Sequence, residues 1–351
     1  MSGIEDAVRK TYSQGARQVV AELCCPVSYD PALLDHLPAE ILERDYGCGD
    51  PSRYVRTGDV VLDLGSGGGK IAYIAARLVG AAGRVIGVDM NDDMLALARK
   101  YQGEMAEKLG GDRVSFRKGR IQDLALDLEA LEAWQTTHPG EVGEMERHVQ
   151  RQRAQHPMIP DASVDLVISN CVLNLVEDGH KEQLLNGIFR VLRPGGRVAV
   201  SDIVADRPIP AHLKADGKLW SGCISGAFEE VEFLRAFRRA GFIGVAFDKW
   251  EPDPWRVVEG IVFRSVTLTA VKPLSADADA GPYVVIQKGP FPEVVDDSGQ
   301  RYPAGERVTV SAQTYARLGQ EPFAKWFIRL PPASVGGAPV DSCGCAPRGC
   351  C

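Results

Sequence analysis

A glycine-rich turn at residues 65–69 joins an apolar run to a helical segment, and this junction restricts the possible folds more than any other feature. Val60–Leu64 has the apolar composition of a buried strand, Gly65-Ser-Gly-Gly-Gly69 follows it at once, and Ile71–Val79 is helical in pattern. Glycines permit a tight turn and let a ligand approach backbone amides at the start of a helix. The junction therefore predicts the first strand–turn–helix unit of a nucleotide-binding α/β sheet.

The segments after this junction continue to alternate between strand and helix patterns. Such alternation is typical of βαβ units, whose parallel strands are connected by right-handed crossovers. We therefore expect a mostly parallel sheet with helices on both faces. The further strands are predicted at residues 84–89, 114–118, 164–168 and 197–202, and helices at 93–108 and 181–192.

The chain before and within this α/β pattern predicts two further parts. Residues 1–50 form an N-terminal helical segment, with helices at 4–22 and 31–45. Residues 51–272 form the α/β domain itself. Within it, the stretch 125–160 is polar, lacks the strand–helix rhythm and holds three histidines, so we expect an irregular, solvated insertion.

The last part of the chain changes in composition. Residues 273–282 are rich in Pro, Ala, Asp and Gly and are expected to be a linker. Residues 283–331 contain short strand-like runs, which predict a small β-rich C-terminal domain. Residues 332–351 are rich in Pro, Gly and Cys, and we expect a cysteine-rich flexible tail.

Charge and hydropathy argue against two classes of partner. The formal net charge is −7, which opposes binding to the phosphates of nucleic acid. No apolar run approaches the ~18 residues that would span a membrane. The first residues lack the basic and apolar regions of a signal peptide, so we expect a cytoplasmic protein that binds neither nucleic acid nor membrane.

Three kinds of nucleotide site compete for the glycine-rich turn. A P-loop needs Gly-Lys followed by Ser or Thr, but Ile71 follows Lys70, and a dinucleotide fold needs glycine where Lys70 stands. The turn instead resembles the first motif of class I S-adenosylmethionine (SAM) methyltransferases, because Asp63 lies two residues before Gly65. We therefore expect SAM as the cofactor.

The resemblance to class I methyltransferases implies SAM-binding residues at the carboxyl ends of the strands. Asp89 ends the second strand, where a carboxylate can accept hydrogen bonds from both ribose hydroxyls. Ile121 follows the third strand, where the family binds adenine, and Asn170 follows the fourth, beside the reacting methyl group. The expected cofactor-binding set is Tyr46, Asp63, Gly65, Ser66, Gly67, Asp89, Met90, Ile121 and Asn170.

Three cysteines lie near these positions along the chain. Cys48 precedes the first strand, Cys171 follows the fourth, and Cys223 follows the fifth. A parallel sheet could bring them to one edge, where three soft thiolates beside a cofactor indicate chemistry on a thiophilic atom. They lack the paired Cys-x-x-Cys spacing of structural zinc sites.

The sequence around Cys171 suggests a family. Ser169-Asn-Cys-Val-Leu-Asn-Leu175 resembles the arsenite methyltransferases, in which Ser-Asn-Cys-Val-x-Asn-Leu follows the fourth strand. One departure is Ser221-Gly222, where family members carry Gly-Glu. The resemblance covers about residues 4–331 and includes Tyr46-Gly-Cys-Gly49, Leu62-Asp-Leu-Gly-Ser-Gly67, Gly87-Val-Asp-Met90, Arg190-Val-Leu-Arg-Pro-Gly-Gly196, Ser201-Asp202 and Leu219-Trp-Ser-Gly-Cys223.

This resemblance implies roles for five cysteines. Cys171 and Cys223 would bind trivalent arsenic, As(III), presented as a thiol conjugate, and Cys48 would be the third catalytic thiol. Cys24 or Cys25 would be a fourth family cysteine that can form a disulfide with Cys48. The sequence leaves the choice between Cys24 and Cys25 open.

The chemistry of arsenic agrees with such a thiol site. Thiolates that hold As(III) aim its lone pair at the electrophilic methyl group of SAM, so no general base is needed and proximity is the main catalytic effect. Each methylation oxidises arsenic by two electrons. Thiol–disulfide exchange among the cysteines, with a cytosolic thiol reductant such as thioredoxin or glutathione as the final donor, would return them.

The sequence thus predicts a class I methyltransferase (Rossmann-like) fold of the α/β class, with a small β-rich C-terminal domain. The expected activity is methylation of arsenite and methylarsenite, for detoxification or organoarsenical synthesis. One alternative is a SAM methyltransferase that acts on another metalloid or small molecule. The other is a metalloid-binding protein that uses its thiols for sequestration.

Overall fold

The computed structural model describes residues 3–20, 27, 29–140, 142–274 and 283–330. The chain divides into two compact units, Met1–Pro273 and Leu274–Cys351. Cys24, Cys25 and the cysteines after residue 331 lie outside the described residues. The expectations for those cysteines and for most of the linker therefore concern parts of the chain that are not described.

A mostly parallel sheet forms the centre of the first unit, as predicted. In its described part, strands β1 to β6 pair in parallel, while β5–β9, β7–β9 and β8–β9 are antiparallel pairs. The main order is β3-β2-β1-β4-β5-β9-β7. The strands are β1 Val60–Leu64, β2 Arg84–Asp89, β3 Val114–Lys118, β4 Val164–Asn170, β5 Leu192–Ala205, β6 Phe228–Glu229, β7 Ile243–Trp250, β8 Arg256–Val258 and β9 Ile261–Val271.

The strand order reverses direction between β1 and β4. The chain builds outwards from β1 to β3 and then returns to place β4 on the other side of β1. In open α/β sheets, ligands bind at such a switch point, beyond the carboxyl ends of the strands. Asp63 near the end of β1 and Asn170 at the end of β4 both lie there.

Consecutive residues of β1 face opposite sides of the sheet, and both sides are apolar. Helices therefore cover both faces. Val60, Leu62 and Leu64 belong to one buried apolar cluster, whereas Val61 belongs to the other. The helices of the first unit are α1 Gly3–Arg17, α2 Pro31–Leu34, α3 Ala39–Glu43, α4 Lys70–Val79, α5 Asp92–Lys100, α6 Gln102–Leu109, α7 Leu128–Thr137, α8 Val142–Gln155, α9 Lys181–Val191, α10 Ala211–Lys214, α11 Gly217–Ser221 and α12 Glu230–Arg239.

The structure differs from the sequence expectation in the insertion at 125–160. That stretch is helical rather than irregular, because it contains α7 and α8. The Asp127 side chain caps α7 by accepting a hydrogen bond from Ala130 N. The Trp134 ring stacks between His138 and His148, with centroid distances of 4.5 and 4.7 Å. Ring stacking and capping thus contribute to the stability of these helices.

The second unit contains the β-rich domain that the sequence predicts. Strands β10 Tyr283–Gln287, β13 Arg307–Val310 and β14 Phe327–Leu330 form an antiparallel sheet in the order β13-β10-β14. Strands β11 Glu293–Val295 and β12 Arg301–Pro303 pair separately. One further helix, α13 Ala312–Arg317, begins at the capping side chain of Ser311. The buried core of this second unit comprises Val285, Tyr302, Val310, Leu318 and Phe327.

Within the described ranges, no helix combines the length and the apolar character needed to cross a bilayer.

Candidate active site

A cleft with an empty volume of about 1090 Å³ opens at the switch point between β1 and β4. Residues from α1, the turn after β1, the ends of β2 and β4, and the segment after β3 line it. Sites of this kind hold small ligands in α/β proteins. All of the residues expected to bind the cofactor border the cleft, namely Tyr46, Asp63, Gly65, Ser66, Gly67, Asp89, Met90, Ile121 and Asn170.

The turn after β1 depends on glycine for its conformation. Gly65 has φ +68°, a left-handed conformation that residues with a Cβ atom adopt at a cost. A Cβ on Gly65 would also lie 2.4 Å from Cγ1 of Val172. Gly67 N donates a 2.9 Å hydrogen bond to the Asp89 carboxylate, which joins this turn to the end of β2. The glycines thus keep the floor of the cleft open.

Two buried carboxyl groups face the cleft from the ends of β1 and β2. Burial, assisted by the nearby charges of Asp89 and Asp45, raises the pKa of Asp63 to about 8. The Oδ2 atom of Asp63 has no hydrogen-bond partner among the described residues. Burial also raises the pKa of Asp89, although backbone amides of Asn91 and Gly67 oppose the shift. A ligand with a positive charge near Asp63 would stabilise the ionised carboxylate.

The three predicted thiol positions converge beside this cleft, which Cys171 borders. Cys48 and Cys171 form a disulfide, with Cα atoms 5.8 Å apart. The Cys223 thiol donates a 3.3 Å hydrogen bond to the carbonyl oxygen of Cys171. All three cysteines are buried in one apolar cluster. In this structure the partner of Cys48 is therefore Cys171, whereas the expected partners Cys24 and Cys25 are not described.

Asn170 holds the turn that carries Cys48. Its Oδ1 accepts hydrogen bonds from the backbone nitrogens of Cys48 at 2.9 Å and Gly49 at 3.1 Å, and its Nδ2 donates to the Gly49 carbonyl at 2.8 Å. The hydroxyl of Ser265 on β9 donates to the Cys48 carbonyl at 2.6 Å. Asn170 borders the cofactor cleft as expected, yet its amide is engaged by the cysteine turn.

Glycines on both sides of Cys48 permit this close approach. A Cβ on Gly47 would lie 2.1 Å from Asn170 Nδ2, and one on Gly49 would lie 2.5 Å from the Ser201 side chain. No Cβ atom tolerates such distances, so the Gly-Cys-Gly pattern is a packing requirement. It brings the thiol against the ends of β4 and β5.

Cys171 and Cys223 share an uncommon backbone conformation. Their φ angles are +57° and +59°, in the left-handed region that non-glycine residues seldom occupy. Cys171 is held there because its backbone nitrogen donates a 2.8 Å hydrogen bond to the Ser201 carbonyl. Strained residues of this kind are concentrated at functional sites. Both thiols are thus presented by backbone that the surrounding structure constrains.

The sequence interpretation missed two polar residues of the site. Asp202 is buried, and one of its oxygens lies within 4.8 Å of both disulfide sulfurs. Burial raises its pKa to about 7, against hydrogen bonds from the backbone of Ile203 and Asn174. Asn174 Nδ2 donates to Asp202 at 2.8 Å and to the Cys223 carbonyl at 3.4 Å. A signal existed, since both residues stand in the quoted motifs.

A second, small cavity adjoins the large cleft near Cys171. Residues of α1, the Cys48 turn and the segment after α11 border it, and its walls are mostly apolar. Three of its residues, Tyr12, Tyr46 and Cys171, also border the large cleft. The full lining is Tyr12, Tyr46, Cys171, Ile203, Gly222, Cys223 and Trp255. Cys171 therefore borders both spaces.

Comparison with family models finds two matches along the chain. A methyltransferase domain matches residues 56–134 and 140–241, which include every strand from β1 to β6. A domain of unknown function matches residues 279–348, which overlap the second unit.

Comparison with individual proteins finds relatives over most of the chain. An arsenite methyltransferase of Aquipseudomonas alcaligenes is 36% identical over 90% of this chain and 86% of its own length. The arsenite methyltransferase of Mus musculus is 31% identical over 92% and 78%. The crystal structure of CrArsM, an arsenic (III) SAM methyltransferase from Chlamydomonas reinhardtii, is 29% identical, with a TM-score of 0.59 over 87% of this chain and 96% of its own.

Proposed function

This chain belongs to the arsenite methyltransferase family, and we propose that it holds As(III) on Cys48, Cys171 and Cys223 during the SAM-dependent methylation of arsenite. The observation that carries the proposal is the convergence of three cysteines from separate segments in one buried cluster, of which Cys171 borders the cleft. Three thiolates complete the coordination of trivalent arsenic, which prefers soft ligands. Its lone pair is then the nucleophile.

The charge and the lining of the cleft suit SAM. SAM supplies a methyl group on a positively charged sulfur, and it also carries an ammonium group. The buried carboxyl of Asp63, with an oxygen that lacks a partner in the described chain, is suited to this charge. Asp89 ends β2, where it would accept hydrogen bonds from the ribose. The apolar side chains of Met90 and Ile121 would contact the adenine ring.

The methyl transfer leaves arsenic oxidised. The arsenic lone pair forms the new As–C bond while the S–CH₃ bond breaks, and that bonding pair stays on sulfur as S-adenosylhomocysteine. Arsenic is then pentavalent. The sulfurs of Cys48 and Cys171 return two electrons when they leave arsenic as a disulfide, and an external thiolate fills the open position on the trivalent product.

The Cys48–Cys171 disulfide corresponds to the state after transfer in this scheme. Methylarsenic would remain on Cys223, which is outside that bond. A thiol such as glutathione or thioredoxin would reduce the disulfide before the next arsenite binds, with Cys24 or Cys25 as a relay. A reducing cytoplasm would supply that thiol. Residues 51–272 would be the catalytic domain, and residues 283–331 a separate C-terminal domain.

Cysteine variants test the thiol site. Cys171→Ser and Cys223→Ser are each expected to abolish methylation of arsenite while SAM binding, measured by calorimetry, stays within about twofold of wild type. Asp89→Ala is the reciprocal control, because it should weaken SAM binding and leave the stoichiometry of arsenite binding intact. Wild-type methylation rates in both cysteine variants would contradict the thiol assignment.

A single incubation separates this function from the alternatives. Reduced enzyme, arsenite and SAM should yield methylated arsenic and an equal amount of S-adenosylhomocysteine for each methyl group. Stoichiometric arsenite binding without S-adenosylhomocysteine would instead indicate a sequestering protein. SAM turnover that requires a different acceptor would indicate another substrate.

A further inference from the structure

We propose that the small cavity beside Cys171 is a subsite for the methyl group that arsenic already carries, and that Gly222 sets the size of this subsite. The proposal rests on the thiol-bound arsenic described above. It assigns a determinant of how many methyl groups the enzyme adds, which the thiols alone do not decide.

The position of the cavity supports this assignment. Its lining contains both Cys171 and Cys223, so arsenic held on these two sulfurs lies at its wall. Two protein sulfurs leave one bond of trivalent arsenic for a substituent. The lone pair must face the large cleft, which Cys171 also borders. A third substituent directed away from the cleft would therefore meet the small cavity.

The walls of the cavity favour carbon over a hydroxyl group. Ile203 is fully buried, and Trp255 is half-buried, with its backbone fixed by a 2.8 Å hydrogen bond to Phe263. Burial of an apolar group among such side chains is favourable, whereas an unpaired hydroxyl is disfavoured. The cavity is small, so it suits one methyl group rather than a bulky substituent.

Gly222 leaves a space in the wall of this cavity. The fold itself would accept a residue with a side chain at this position. Its φ and ψ of −89° and 20° are accessible to residues with a Cβ. The nearest atoms to a Cβ at this position are the carbonyl oxygens of Leu219 and Lys218, both at an ordinary 3.6 Å. The glycine is therefore not explained by strain or close packing.

The second transfer can be written with the same residues. The lone pair of methylarsenic on Cys171 and Cys223 forms a second As–C bond, and the methyl–sulfur bonding pair stays on S-adenosylhomocysteine. The Cys48 thiolate then attacks the Cys171 sulfur, so that a Cys48–Cys171 disulfide forms, the As–Cys171 bond breaks, and its electron pair returns arsenic to the trivalent state. Dimethylarsenic remains on Cys223 and leaves by exchange with an external thiol, whose proton passes to Cys223.

The test compares two substrates in graded variants at Gly222. For wild type, Gly222→Ala, Gly222→Leu and Gly222→Glu, kcat/KM is measured with arsenite and with methylarsenite. We expect the ratio of methylarsenite to arsenite to fall about threefold in Gly222→Ala and at least tenfold in the two larger variants. The products should shift correspondingly from dimethyl to monomethyl arsenic. Gly217→Ala, at the start of the helix that Gly222 follows and outside the cavity, should leave the ratio unchanged.

The outcomes distinguish this proposal from the function on which it rests. If wild type does not methylate arsenite, the thiol site itself is wrong. If wild type does so and the ratio stays constant in Gly222→Ala and Gly222→Leu, the methyl subsite is wrong. A constant ratio with equal loss on both substrates also overturns it, because such a loss reports damage to the common site. Melting temperatures identify any variant that is unfolded, and Gly222→Ala then decides alone.

Discussion

The side-chain oxygen of Asn170 lies 2.9 Å from the backbone nitrogen of Cys48 and accepts its hydrogen bond. This contact joins the end of β4, one residue before Cys171, to the turn that presents the opposite thiol. The distance between the two sulfurs is thus controlled by a residue that is itself neither a ligand nor a nucleophile. Asn170 is a positioning residue for the pair.

Asn170→Asp should weaken the cysteine pair. The aspartate keeps an acceptor for Cys48 but loses the donor to the Gly49 carbonyl, which is left opposite an oxygen. We expect a loss of about 1–3 kcal/mol in the free energy of unfolding. The equilibrium constant for the Cys48–Cys171 disulfide against glutathione should fall at least fivefold. Asn186→Asp, at an exposed position of α9, is the control and should change neither quantity.

Gly49→Ala should destabilise the enzyme by overpacking. The new Cβ would lie 2.5 Å from the Ser201 side chain, so β5 and the turn that carries Cys48 must move apart. An insertion of this kind costs roughly 1–3 kcal/mol, measurable by urea unfolding. The double variant Gly49→Ala/Ser201→Gly should recover part of that loss, and strictly additive effects would argue against the contact. Gly103→Ala in α6, where the space is open, should not destabilise.

SAM should bind more tightly as the pH rises towards 8. At pH 6.5 the Asp63 carboxyl, with a pKa of about 8, is mostly protonated in the free enzyme. A cationic ligand favours its ionised form, so binding releases a proton. Calorimetry in buffers of different ionisation enthalpy should detect this release, and the logarithm of affinity should level off above pH 8. In Asp63→Asn the proton release should disappear; its persistence would assign the proton to another group.

The ligand-free enzyme should lose stability between about pH 4 and pH 8. The pKa values of Asp63 and Asp202 are raised in the folded state to about 8 and about 7, from 3.8. Below pH 4 both states are protonated and no penalty exists. As the pH rises from about 4 to about 8, the two carboxyl groups ionise first in the unfolded chain, which thereby gains stability relative to the folded state. The free energy of unfolding by urea should decline less with SAM than without it, because a cationic ligand favours the ionised form of Asp63, whereas the part of the decline due to Asp202 should remain.

Cys223→Gly should be more stable than Cys223→Ala, in reversal of the usual order. The φ of +59° at this position costs an L-residue about 1–2 kcal/mol, which glycine does not incur. We expect a difference of about 1 kcal/mol in urea unfolding under reducing conditions. The matched pair Lys218→Gly and Lys218→Ala, inside α11, should show the ordinary preference for alanine.

Much of the cofactor cleft was predictable from the sequence because local signals coincide with the topology. The strand–glycine–helix junction and the acidic residues at strand ends predicted a ligand site at Asp63, Gly65 and Asp89, and all three border the cleft. The contribution of α1 was not predicted. Val8 and Tyr12 reach the cleft only because their helix folds over it, and an amphipathic pattern does not say which surface a helix covers.

The sequence indicated which three cysteines lie together, but it did not indicate which two of them form a disulfide. The three cysteines could be expected at one edge of the sheet, whereas the Cys48–Cys171 pairing depends on the Asn170 contact and on the glycines around Cys48. The prediction that residues 125–160 are irregular was wrong for a different reason. Stacking of Trp134 with two histidines stabilises the helices of this stretch without the apolar periodicity that identifies a helix.

The position of Cys171 at the border of two cavities has a consequence for the order of events in turnover. In the proposed scheme, S-adenosylhomocysteine would occupy the large cleft, and the arsenic substituent would face the small cavity. Spent and fresh cofactor could then exchange through the large cleft while arsenic remains attached to sulfur. Such an arrangement would permit processive methylation, in which the monomethyl species stays covalently tethered between rounds instead of entering solution.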